Sequence, residues 1–151
     1  NPMINLWVYG HSADEKIAGQ TEMIEYYSPT MQDRPFAMGG MSARYENRDG
    51  NAIIASAQRV KAESDNNANK LMIVLSDGQP SADLYRGMRG IEHTAKAVKF
   101  AESRGWSVIQ VGFAGASEHY MSQMFTNHIY VKDVDTLGDN LSKIIRKVVK
   151  V

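Results

Sequence analysis

The sequence predicts an α/β domain, a doubly wound and mostly parallel sheet with helices on both faces. Two observations carry that prediction. The run Leu71–Leu75 is apolar without interruption and ends in Ser76-Asp77-Gly78. Continuous apolarity, as opposed to alternation, marks a strand buried on both faces, as in a parallel sheet covered by helices. Runs of this kind alternate along the chain with stretches of helical periodicity, the pattern of a parallel sheet wrapped on both sides.

In chain order, residues 4–10 (Ile4-Asn5-Leu6-Trp7-Val8-Tyr9-Gly10) read as the first visible strand. Residues 22–27 are short and polar enough for an antiparallel edge strand. The segment 28–48 contains Pro29, Pro35 and Gly39-Gly40 with little periodicity, and is expected to be a long functional or mobile loop. Ile53, Ala57 and Val60 recur at steps of four and three, with Arg59 and Lys61 off the stripe, which predicts a helix. The strand at Leu71–Leu75 follows. Ile91, Ala95 and Val98 repeat the helical pattern until Gly105 stops it. Residues 107–113 and 129–131 are two further strands. Leu137, Leu141, Ile144, Ile145 and Val148 define a closing helix, with Lys143, Arg146 and Lys147 facing water.

The chain has 151 residues, enough for a single domain over 1–151 with a sizeable core. It carries 17 basic and 17 acidic residues, so no net charge pulls it toward nucleic acid or an anionic membrane. The absence of cysteine excludes disulfides and thiolate metal sites and is compatible with a reducing cytosol, so cytoplasmic residence is expected. No apolar run reaches the length of a membrane span and no signal peptide opens the sequence. Because the first residue is Asn1, the sequence is expected to be a piece of a longer polypeptide.

Ligands of open α/β sheets gather outside the carboxyl ends of the strands. Three polar clusters are expected there: Gly10-His11-Ser12-Ala13-Asp14, Asn47-Arg48-Asp49-Gly50 and Ser76-Asp77-Gly78-Gln79-Pro80-Ser81. Carboxylates with hydroxyl and amide neighbours make an all-oxygen site that prefers Mg²⁺, Mn²⁺ or Ca²⁺ to zinc. Each cluster has a plainer reading. Asp49 also fits an N-cap of the helix that follows, Asp77-Gly78 fits turn chemistry alone, and His11 suits a hydrogen-bonded strand end better than a ligand. His93, His119 and His128 have no ligand spacing and read as structural or exposed. The nine methionines read as core filling.

Four motifs, in the same order and across nearly the whole chain, resemble von Willebrand factor A-type (vWA) domains of the cobaltochelatase CobT-like branch. Lys70–Pro80 looks like the late metal-site strand and turn. Asn47, Asp49 and Gly50 match an Asn-x-Asp-Gly stretch opening the preceding helix. Tyr85 and Gly87, followed by Thr94, Ala97 and Val98, match a Tyr-x-Gly element leading into a helix. Val8–Ser12 is similar to the family's second strand and its turn. The resemblance implies a vWA/Rossmann-like fold with a MIDAS-like (metal-ion-dependent adhesion) site. Asp77 would hold the metal directly or through water, Asp49 would act where many relatives use threonine, and Ser12 would lie at the rim.

One departure matters. The family places Asp-x-Ser-x-Ser after its first strand, and no such motif exists in this sequence. The implied domain is therefore N-terminally incomplete, with its first strand and helix upstream of Asn1. In the family that strand lies between the second and fourth, so its loss opens a slot lined by unpaired backbone. Upstream residues, an inserted strand from another chain, or direct pairing of the two halves would each close it. In an alternative register residues 6–10 are the first strand, with Ser12 and Asp14 as a degenerate motif.

The function expected from the resemblance is a metal-dependent protein-interaction module, not an enzyme. A partner carboxylate would complete the metal shell, and the implied partner is an AAA+ ATPase of MoxR or CobS type. Chelatase chemistry rests on the family name alone. A structural interaction domain with a degenerate, metal-free site is a second reading. A metal-assisted hydrolase using Asp77 and Asp49, with His11 as acid–base, is a third, although no nucleophile–base pair is visible. No Gly-rich Walker or dinucleotide loop follows any strand.

Overall fold

The structure, a computed structural model, describes residues 4–13, 19–31, 37–42, 44–65, 68–113 and 115–149. The elements are β1 (Val8–Ala13), β2 (Thr21–Tyr27), α1 (Asp49–Glu63), β3 (Lys70–Ser76), α2 (Met88–Glu102), β4 (Trp106–Gly112), α3 (Glu118–Met124), β5 (Asn127–Tyr130) and α4 (Leu137–Val149). The α/β prediction holds. β3, β4 and β5 form a parallel sheet in that order, with Lys70 beside Trp106 and Ile109 beside Asn127. Each parallel neighbour is reached through a helix, as parallel strands require.

The pleat divides the core in two. Met72, Val74 and Val108 face one side, where Ile53, Ala57 and Val60 of α1 pack with Ile91, Val98 and Ala101 of α2 and Met124 of α3. Leu71, Ile73, Ile109 and Val111 face the other, against Leu137, Leu141 and Ile144 of α4. Burying each large apolar side chain here contributes about 1.5–3 kcal/mol. Gly105 closes the turn after α2 with φ at 83°, a left-handed conformation that costs glycine little. No helix among the described residues is long and apolar enough to cross a membrane.

Two expectations are corrected. The first strand does not occupy residues 4–10; it runs Val8–Ala13, so His11 and Ser12 lie within it and not in a turn beyond it. The cause is β2, which pairs antiparallel with β1 and holds His11 opposite Met23, Ser12 opposite Glu22 and Ala13 opposite Thr21. Ile4 and Leu6 have no such seat and stay 66% and 52% exposed. Asp14 lies outside the described residues. The segment 28–48 is a long loop as expected, but it is tied down at its end: it contains a 3-10 turn at Ala37–Gly40, and Glu46 and Asn47 make isolated ladder bridges to Ala13 and Ser81. Pro35 lies outside the described residues.

The second correction concerns the sheet. A single sheet was expected, but among the described residues there are two, β1–β2 and β3–β4–β5. Direct pairing of β1 with β3 is not adopted. The two sheets still share one helix layer, since Trp7 and Tyr9 join Met72 and Val74 against the same α1–α2 core. The bridges of residues 46 and 47 tie the carboxyl end of β1 to the segment just after β3. Both strands thus end at the same end of the molecule, flanking a slot, and Leu75 beside it is 51% exposed. An edge without a partner leaves alternate amides of β3 open to exchange. Hydrogen exchange should therefore protect β4, paired on both sides, more strongly than β3. Equal protection of the two strands would contradict the open edge.

Candidate functional site

A cavity of about 500 Å³ opens at the carboxyl ends of β1 and β3. His11, Asn47, Asp49, Ser76, Asp77 and Gln79 contribute to its lining, with Tyr45 and Leu75 also on its wall. The structure thus brings together Asp49 and Asp77, which lie far apart in sequence. Ser12 is not in the described lining. Its side chain is buried, and its hydroxyl accepts the Tyr45 amide at 3.2 Å.

Asp49 is the first residue of α1 but does not cap it. Arg48 occupies the N-cap position and no side chain makes a capping bond there, which corrects the N-cap reading. Asn47 diverts the carboxylate instead. Its side-chain amide donates to Asp49 Oδ1 at 3.0 Å, while its Oδ1 accepts the Ser81 amide at 2.7 Å. His11 Nε2 lies 3.6 Å from the same Asp49 oxygen, too far for a good hydrogen bond but close enough for an ion pair when the ring is protonated. Asp49 is only 3% exposed, and its Oδ2 is buried without a hydrogen-bond partner among the described residues. Burial pushes the Asp49 carboxyl above the usual carboxylate range; His11 and the Asn47 bond oppose this, and the charge of Asp77 adds to it.

Asp77 follows β3 and is exposed. The turn there is held by Ser76, whose Oγ donates to the Gly78 carbonyl at 3.1 Å and accepts the Gly78 amide at 3.3 Å. Turn chemistry therefore does not occupy the Asp77 carboxylate. Among the described residues no group of three or more His, Asp or Glu side chains is placed to hold a metal. His119 pairs with Gln123, and His128 meets the Phe125 carbonyl.

Sequence reasoning missed the clamp that fixes α1. The Tyr85 hydroxyl accepts the Gly50 amide at 3.2 Å and contacts His93 Nδ1 at 2.5 Å. Burial lowers the His93 pKa, with Lys96 and Arg48 adding to the effect, which favours the neutral ring. The Tyr85 hydroxyl accepts from Gly50 and has its own proton to give Nδ1, an assignment that leaves the ring proton on Nε2. A Cβ at position 50 would fall 2.6 Å from the Tyr85 oxygen and 2.4 Å from His93 Nδ1, so only glycine lets the tyrosine in. No local pattern announces this contact, because the partners lie on either side of a strand and a loop. The substitution Tyr85→Phe leaves the buried Gly50 amide without its acceptor and should destabilise the domain by about 1–3 kcal/mol. Chemical denaturation measures this, and unchanged stability would remove the clamp from the account.

No family model matches the sequence. Over 154 aligned residues the chain is 34% identical to the uncharacterized protein YojO of Bacillus subtilis (strain 168). The alignment covers 96% of this chain and 24% of that protein, so the chain spans about a quarter of the length of the curated relative it matches.

Proposed function

We propose that the domain is a metal-dependent protein-interaction module of the vWA type, CobT-like branch, working in the cytoplasm with an AAA+ ATPase of MoxR or CobS class. The observation that carries this reading is the Asp49 carboxylate, a buried group bonded on one oxygen and without a described partner on Oδ2, belonging to a residue that lines the same cavity as Asp77. A lone buried carboxylate oxygen is costly unless a cation or donor meets it. The donor set of Asp49, Asp77, hydroxyl and carbonyl oxygens fits Mg²⁺ or Mn²⁺. Asp77 and Asp49 would hold the ion, with Ser12 behind the site on the Tyr45 amide. The ion would supply a Lewis-acidic position that a carboxylate of the partner completes.

The slot between β1 and β3 supports the finer fold assignment. In this reading β1 and β2 are the family's second and third strands, and the slot takes its first strand, supplied from elsewhere in the polypeptide or by another chain. Binding, not turnover, is the proposed activity, with the ATPase performing work and the module linking it to a client.

Titration calorimetry with Mg²⁺ and Mn²⁺ tests the reading. Asp77→Ala should weaken binding at least tenfold, about 1.4 kcal/mol, without changing the melting temperature, because this exposed carboxylate adds ligand charge and no packing. Unchanged ion affinity in Asp77→Ala would overturn the metal assignment, and a wild-type protein that binds no divalent ion would favour the metal-free structural module.

A further inference from the structure

We propose that a second cavity, walled by Arg48, Asn51, Leu84, Tyr85, Arg89 and His93, binds a phosphate group. It has a volume of about 360 Å³ and shares no described lining residue with the cavity around Asp49. The inference is therefore independent of the metal-site reading.

No ion pair among the described residues neutralises the two arginines of this cavity. Arg48 is the N-cap residue of α1, while Arg89 and His93 stand one turn apart at the start of α2. An arginine at a helix N-terminus faces the positive end of the dipole, where an acid is the stabilising choice; α1 carries Asp49 in its first turn beside Arg48, but α2, which bears Arg89, has no acid there. Arg89 makes no hydrogen bond or ion pair among the described residues. Arg48 is bonded to a neutral group, the Asp83 carbonyl, and its guanidinium lies 5.1 Å from the centre of the Tyr85 ring. The charges acting on His93 are those of Lys96 and Arg48, both cations. With Nδ1 engaged by Tyr85, the neutral His93 ring keeps Nε2–H as its remaining donor.

Two guanidinium forks and an imidazole donor around one small cavity suit an oxyanion. Two guanidinium cations and a neutral imidazole match a phosphate, which carries more negative charge than a carboxylate and offers more acceptor oxygens. The walls at Leu84 and Tyr85 are apolar enough to take the carbon chain of a phosphate monoester. Leu84 is held at φ 57°, a left-handed conformation of the kind that collects at ligand-binding segments.

The His93 imidazole, followed by NMR at constant ionic strength, is the reporter. Inorganic phosphate and O-phosphoserine are titrated separately, with acetate as the comparison anion. A saturable shift with phosphate is expected, weakened at least tenfold in Arg89→Ala and unchanged in Asp77→Ala. Tighter binding of O-phosphoserine assigns the site to a monoester, and binding of inorganic phosphate alone assigns it to the free ion. The absence of a saturable shift, an equal response to acetate, or full binding by Arg89→Ala would each overturn the proposal.

Discussion

The chain entering α1 is pinned from two sides, and the site depends on that constraint. Asn47 bridges Ser81 through both backbone and side chain, and the Gly50 amide is captured by the Tyr85 hydroxyl. Between these anchors Asp49 has no freedom to turn its carboxylate outward. It is held at 3% exposure with one oxygen bonded to Asn47 and the other bonded to nothing described. The raised pKa of its carboxyl follows from that confinement. Because the folded-state pKa lies above the unfolded one, ionising Asp49 costs stability, and its contribution is lost as pH rises through the folded value. A cation at Oδ2 would reverse that cost.

The sheet arrangement gives this carboxylate a place to act. β1–β2 and β3–β4–β5 rest on the same layer of α1 and α2, but no ladder among the described residues joins them. Their spacing is set by the helices beneath. Among the described residues, the ladder bridges of residues 46 and 47 tie the carboxyl ends together, and the cavity with Asp49 and Asp77 opens beside that tie. The location obeys the general rule for open α/β sheets, in which ligands sit outside the carboxyl ends of strands. Here the crevice lies between two free edges.

Much of the fold was legible because apolar periodicity is a local signal. Leu71, Met72, Ile73 and Val74 as a doubly covered strand, the Ile53–Ala57–Val60 stripe and the Leu137–Leu141–Ile144 face pack as their spacing implies, while Leu75 at the end of the run stays exposed. The failures are non-local. The register of β1 is set by pairing with β2, which no pattern within residues 4–10 encodes. Asp49 looks like a helix cap by residue type, yet Asn47, two residues earlier, competes for its carboxylate. Ser12 looks like a loop hydroxyl, but it lies within β1 and accepts the amide of Tyr45, thirty-three residues away in sequence. His93 read as structural, and its contact with Tyr85 is consistent with that, but its partner could not be named from spacing alone.

The central claim is that Asp49 is a desolvated carboxylate awaiting a positive charge. Titrating its side-chain carboxyl by carbon NMR, first in chelator and then with Mg²⁺, addresses that claim most directly. The account predicts a pKa above the ordinary aspartate range of about 3.9 without metal, and a clear fall when Mg²⁺ is added. An ordinary pKa that does not respond to Mg²⁺ would contradict it.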